Sequence, residues 1–162
     1  MILIKNKISL VILSVLLILQ FCSCGNDKGE NLSDVDMRND LSVQITYRQI
    51  SYNGTISFKN GTLYMKILNN DKFPDGLACI VDSTEITFCY DEIEKSFDCN
   101  GFDDNFMPKI LYEFFSVCGE TFRTEEVKIG EYSYIERNVC GKSVSFCVNK
   151  NNSTTPYTII IK

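Results

Sequence analysis

Any reaction chemistry in this chain has to come from cysteines and carboxylates, because none of its 162 residues is histidine. Without histidine, neither a Ser-His-Asp nor a Cys-His nucleophilic site can be assembled, and most zinc sites are lost as well. The chain holds 8 cysteines. Two, Cys22 and Cys24, lie near the start, and Cys79, Cys89, Cys99, Cys118, Cys140 and Cys147 are scattered at wide intervals. No C-x-x-C occurs, which counts against a thioredoxin-like redox motif and against a zinc ribbon. Cys89 and Cys147 sit in apolar, strand-like runs, where cysteine serves as a small hydrophobe; buried thiols and a few disulfides both remain open. The acidic clusters are Asp91-Glu92-Glu94, Asp103-Asp104 and Glu125-Glu126. Paired carboxylates can bind calcium or move protons. None of these has the spacing of a calcium loop, and all fall at expected turns or strand ends, so they read as solvated surface. The expectation is a protein with no catalytic residues, no metal and no cofactor.

The remaining cysteine with a chemical context is Cys24. Lys5 and Lys7 precede an apolar run from Ile8 to Leu19, followed by Phe21-Cys22-Ser23-Cys24-Gly25. That run is shorter than the roughly 20 apolar residues a spanning helix needs, and it has the layout of an export signal. Ser23-Cys24-Gly25 resembles a bacterial lipobox, in which a small residue precedes a cysteine that is diacylated and becomes the new N-terminus. The plainer alternatives are an ordinary cleaved signal peptide or an uncleaved anchor. Residues 25–40 (GNDKGENLSDVDMRND) are polar and charged, as a flexible tether is. A diacylated cysteine provides the two chains that stable anchoring requires. The expected organisation is therefore signal peptide 1–24, tether 25–40 and one folded domain 41–162, held at the extracytoplasmic face of a cell membrane through diacylglyceryl-Cys24.

The net charge is −5. Residues 1–24 carry two lysines and no acid, so the exported part is more acidic still. That balance argues against nucleic acid as a partner and against electrostatic adhesion to anionic headgroups.

The elements that must position any site are mostly strands. Val43, Ile45 and Tyr47 alternate with polar residues in Leu41–Tyr52, the period of a half-buried strand. Asn53-Gly54 and Asn60-Gly61 are strong hairpin signals, so a three-stranded meander is expected, turning at each. Residues 69–76 read as a loop, and Leu77–Val81 and Glu85–Tyr90 as a hairpin across Asp82-Ser83-Thr84. Ile93–Cys99 follows as a short strand. The period then changes: from Phe106 to Cys118, apolar residues at 110, 111, 114, 115 and 118 form one helical stripe. Asp104 or Asn105 is placed to cap this helix and Gly119 to end it. Strands are expected again at Val127–Ile129, Glu131–Asn138, Lys142–Val148 and Tyr157–Ile161. Tight turns make such a sheet antiparallel, and its apolar face needs a cover that only the Phe114/Phe115 stripe can supply. The fold class expected is α+β, a curved antiparallel half-barrel wrapped around one central amphipathic helix.

Several stretches carry a resemblance. The lipobox, the polar tether, the meander around Ile45-Thr46-Tyr47, the stretch Gly76-Leu77 … Ile86-Thr87-Phe88-Cys89-Tyr90 … Asp98-Cys99, and the helix region Asp104 to Val117 together resemble a group of small lipoproteins of Firmicutes. Those resemble in turn the lipoprotein-carrier (LolA/LolB-like) half-barrel, which is closed by helices around an apolar cavity. The resemblance implies fold and location, and no catalytic motif.

Phe and Tyr are numerous, 11 and 8, with no Trp. On strands they could line a cavity for an acyl chain, or they could fill the core. If they line a cavity, alternation nominates Phe114 and Phe115 from the helix and Tyr47, Phe58, Met65 and Phe88 from the sheet. The function expected is thus an envelope lipoprotein that holds a lipid, another apolar ligand or the acyl part of a second lipoprotein. The alternative is an interaction or structural protein of the envelope with a filled core.

Overall fold

A computed structural model describes residues 33–68, 74–126, 132–149 and 156–162. The signal segment, Cys24 and the expected strand Val127–Ile129 lie outside the described residues. All described residues belong to one compact unit, Leu32–Lys162, which has a core of its own, as a domain able to fold independently does.

The fold is α+β: one open mixed sheet and one helix. The strands are β1 (Ser33–Asp36), β2 (Leu41–Tyr47), β3 (Ile50–Lys59), β4 (Thr62–Leu68), β5 (Ala78–Val81), β6 (Glu85–Tyr90) and β7 (Ile93–Asp98). A short 3-10 turn at Cys99–Gly101 leads into the helix α1 (Met107–Cys118), after which come β8 (Thr121–Glu126), β9 (Tyr132–Val139), β10 (Lys142–Asn149) and β11 (Tyr157–Ile161). In space the order is β1-β8-β9-β10-β11-β2-β3-β4-β5-β6-β7. Two antiparallel meanders, β2 to β7 and β8 to β11, are therefore joined side by side. The seam between them corrects the expectation of a purely antiparallel sheet: β11 lies parallel to β2, with Tyr157 beside Val43 and Ile161 beside Tyr47. A parallel neighbour requires a long crossover, and everything from β3 to β10 supplies it.

The expected turn at Asn53-Gly54 is wrong. The chain turns at Arg48-Gln49, with φ of 50° and 65°, and Tyr47 pairs directly with Ile50. Asn53 and Gly54 lie inside β3, opposite Gln44 and Val43. Glycine serves there for close approach rather than for reversal: a Cβ on Gly54 would stand 2.2 Å from the Lys66 carbonyl oxygen. The early turn makes β3 long enough to pair with β2 on one side and β4 on the other. By contrast, Asn60-Gly61 and Cys140-Gly141 do turn the chain, all four with positive φ, as two-residue hairpins require. Asp82 shapes the β5–β6 turn, its carboxylate accepting from the Thr84 N–H (2.7 Å), the Thr84 hydroxyl (2.9 Å) and the Glu85 N–H (2.8 Å).

Two strands are not signalled by local pattern. β1 falls within residues 25–40, the span expected to be a tether, so Ser33–Asp36 belong to the sheet and not to a linker. Val35 is buried opposite Phe122 of β8, and this pairing outweighs the polar composition around it. Met37, also buried, donates its N–H to the Glu120 carbonyl and accepts the Phe58 N–H, both at 2.7 Å. β8 escapes notice because, among its residues whose burial is described, Phe122 is the one apolar side chain and its alternate neighbour on the buried face is the polar Thr124.

The α1 stripe is placed as periodicity suggests. Ile110, Leu111, Phe114 and Phe115 are fully buried, and the helix contacts β4, β5 and β9. Burial of each such side chain is worth about 1.5–3 kcal/mol. The helix begins one residue later than expected, and neither Asp104 nor Asn105 caps it. Phe106 occupies the cap position with no side-chain hydrogen bond, while Gly119 ends the helix at φ 83°. The Asp103 carboxylate instead accepts from the Asn105 N–H and side-chain amide at 2.7 and 2.8 Å.

Gly54→Ala should lower the unfolding free energy by about 1–3 kcal/mol, the usual cost of overpacking. Gly101→Ala, whose Cβ would meet nothing within 4 Å, should stay close to the parent. Urea denaturation of both variants tests this, and equal midpoints would refute the close-approach role of Gly54.

Candidate functional site

Of the six aromatic and Met positions nominated from sequence, three come together around a cavity and three do not. Tyr47 at the end of β2, Met65 on β4 and Phe88 on β6 line a cavity of about 240 Å³. The other walls are Ile67, Leu77 and Cys79 from the sheet side and Phe106, Met107 and Pro108 from the start of α1. Its volume lies just under the ~300–1,000 Å³ usual for small-molecule sites. Phe58, Phe114 and Phe115 are packed into the core instead. The Phe115 ring lies 5.0 Å from Phe114, 6.3 Å from Phe58, 6.3 Å from Phe122 and 6.1 Å from Phe146.

Register explains the grouping. On β4, Met65 pairs with Ile56 on one side and Cys79 on the other, and Cys79 pairs with Phe88. Directly paired residues face the same way, so these side chains share the face that α1 covers. At its first turn the helix presents Met107 and Pro108 where further along it presents Phe114 and Phe115. The shorter side chains leave the sheet face uncovered, and the cavity is that gap.

Four polar groups mark its border. The Tyr47 hydroxyl donates to the Asn105 carbonyl at 2.5 Å, tying the end of β2 to the approach of α1. Arg48 stands beside it with its guanidinium carbon 5.1 Å from the Tyr47 ring centroid, within cation–π range. Tyr52 and Asn105 complete the polar fringe. Sequence reading missed Arg48, Leu77, Phe106 and Pro108; the turn at Arg48-Gln49, hidden by the Asn-Gly signal, is what brings the arginine to the mouth.

The remaining sequence candidates do not assemble into a reactive centre. Asp91, Glu92 and Glu94 are exposed on the β6–β7 hairpin. Asp104 pairs with Lys109 at 2.8 Å, and the amide groups of Asn105 hold the Asp103 carboxyl below its usual range. Glu125 and Glu126 belong to β8, and their side chains lie outside the described residues. No group of three or more Cys, Asp or Glu able to hold a metal ion occurs among the described residues. A second, polar depression of about 400 Å³ between β1 and β8 is bordered by charges already paired, Asp36 with Arg38 at 2.7 Å and Asp34 with Arg123 at 2.8 Å.

The six described cysteines are free thiols. Burial pushes every one of them up, Cys79 to about 12 with Cys89 and Cys99 adding to the shift. This is opposite to the direction that activates a nucleophilic thiol. Cys140, at the β9–β10 turn, is the exposed one; after burial, Glu113 and Asp104 raise it further while Lys109 opposes them.

With this geometry in view, comparison with known proteins adds no relative. No family model, curated protein or solved structure matches the chain.

Two outcomes follow from this arrangement. Phe115→Ala should cost about 3–5 kcal/mol in chemical denaturation, since it opens a hole where four other rings meet; a loss below about 1 kcal/mol, the range of a surface substitution, would contradict that packing. In native protein a disulfide reagent should modify Cys140 first and leave Cys79 untouched until unfolding. Because the Cys140 thiol is raised, its thiolate fraction is small at neutral pH, and its rate should climb about tenfold per pH unit. The climb should continue past pH 9.0, the ordinary value for a thiol, and a rate that has levelled off by then would refute the shift.

Proposed function

We propose that this chain is a lipid-anchored, extracytoplasmic lipoprotein without enzymatic activity, whose folded unit holds one apolar ligand in the cavity at the start of α1. The observation that carries the reading is the cavity itself: an apolar hollow between sheet and helix, bounded by a few polar groups at one side, is the common form of a small-ligand site. The Ser23-Cys24-Gly25 sequence supports the anchor, and the upward-shifted thiols support the absence of catalysis. Among the described residues no helix is long and apolar enough to cross a membrane, so under this reading attachment rests on Cys24.

The finer architecture belongs to the same proposal. A half-barrel curled around α1 accounts for two observations that a flat sheet does not. First, α1 contacts both β9 and β4, which stand five places apart in the strand order. At ~4.8 Å per strand that separation would be about 24 Å in a flat sheet, roughly twice the ~10–12 Å width of a helix. Second, the backbone of Met37 bonds both to Glu120, beside β8, and to Phe58 of β3. One residue bridging strands that are also five places apart supports a sheet that bends back on itself. The cavity would then open at one end of the trough.

Leu77 is half-buried on the cavity wall, so Leu77→Trp should fill the hollow without disturbing the Phe115 cluster. Native mass spectrometry of residues 32–162 after contact with a membrane extract should show a retained lipid-sized mass in the parent and none in Leu77→Trp. A clean apo mass for the parent would overturn the binding reading and favour an envelope protein that acts through its outer surface.

A further inference from the structure

We infer that the ligand is a single-chain amphiphile with an anionic head, a carboxylate or a phosphate, and that Arg48 holds the head at the mouth of the cavity. This inference rests on the binding reading above and specifies the chemistry of the ligand.

Among the described residues lining the cavity, Arg48 is the one that carries a full charge. A purely hydrocarbon ligand would gain nothing from a cation there, whereas an acyl chain ending in an anion matches both features. Arg48 is also well placed to act. As the first residue of the β2–β3 turn it holds φ 50°, so its position is set by the hairpin and not by a mobile loop. Tyr47, over which the guanidinium lies, is itself fixed by its bond to the Asn105 carbonyl. A guanidinium can meet a ring face and still offer its N–H fork to a carboxylate or phosphate.

Its surroundings leave it available. Among the described residues Arg48 makes no salt bridge. Asp103 is close enough to feel its charge but forms no ion pair with it, its Oδ1 accepting instead from Asn105 at 2.7 and 2.8 Å. The first turn of α1 reaches the same mouth with no acidic residue and no side-chain cap, which adds positive potential on that side.

A tail longer than the cavity also has a surface to follow. Phe88, on the cavity wall, is flanked on the same face by Tyr90, and the partners across β7 are Lys95 and Ile93. Ile93 is 70% exposed, Tyr90 44% and Phe97 39%. These continue the face of Phe88 to the free edge of the sheet, with Lys95 between Ile93 and Phe97 and its ammonium over the Phe97 ring at 5.0 Å.

Calorimetric titration of residues 32–162 with decanoate, decyl phosphate and neutral decanol tests the inference, with circular dichroism confirming the fold of each variant. The anions should bind at least about tenfold tighter than decanol, as a charge-assisted contact implies. Arg48→Asn, which suits a left-handed turn position, should bring the ratio of anion to decanol affinity down to about one; Arg48→Lys should retain most of the preference. Tighter binding of decyl phosphate would identify a phospholipid-type head, and tighter binding of decanoate a fatty acid. Equal affinities for all three in the parent, or a preference that survives Arg48→Asn, would overturn the head-group inference while leaving the cavity reading intact. Failure of all three to bind would overturn both.

Discussion

The ring of Phe115 is the contact on which this structure turns. It meets Phe58 of β3, Phe122 of β8 and Phe146 of β10, so one helical side chain gathers strands from both meanders. Those strands are distant in sequence, and the two meanders are joined in the sheet by the parallel β11–β2 pairing. Aromatic packing of this kind contributes beyond simple area burial, by about 0.5–1.5 kcal/mol per pair. Without it, two antiparallel ribbons would each present an apolar face to water. The helix therefore packs its Phe115 against strands of both meanders.

The same helix explains why there is a cavity at all. Its second half is filled with Phe114 and Phe115, while its first turn offers Met107 and the short ring of Pro108. Pro108 sits where a proline is tolerated, since the first-turn N–H groups lack helical partners anyway. Placing proline there fixes the start of the helix but leaves the volume above Met65 and Phe88 unfilled. At the edge of that volume stands the Arg48-Gln49 turn. Its two residues occupy the left-handed region with neither glycine nor asparagine, at a backbone cost of about 1–3 kcal/mol for each such residue. Glycine at position 48 would relieve strain but remove the cation, which is consistent with a side chain kept for contact at the mouth.

Local pattern is legible wherever one interaction decides it. The α1 stripe, the Asn60-Gly61 and Cys140-Gly141 turns, the Asp82 hairpin and the last strand can all be read, because periodicity or turn chemistry alone sets them. Asn53-Gly54 misleads because a dipeptide reports what its backbone tolerates, not what a neighbouring strand demands; the Lys66 carbonyl, on the next strand, decides that position. β1 is hidden for a similar reason, since Val35 and Met37 are isolated apolar residues whose partners, Phe122, Glu120 and Phe58, lie in or beside other elements. The same limit misplaces half of the nominated cavity residues. Alternation tells which face a residue is on, but the cavity depends on which part of that face the helix leaves open.

The anchor and the cavity constrain each other in the proposed arrangement. If Cys24 carries the lipid, the few residues before Ser33 span at most about 30 Å even when fully extended. The folded unit would then work close to the membrane surface, where amphiphiles are concentrated and where a tethered binder meets them at high effective concentration. Tight affinity is unnecessary under those conditions. A cavity of about 240 Å³ with one arginine at its mouth suits such a setting. In the proposed arrangement it would bury part of a chain, leave the rest against the face that carries Phe97 and Ile93, and discriminate by head charge. An acidic surface repels anionic membranes as a whole, so a single cation at the mouth would select an individual anionic molecule without fastening the domain to the bilayer.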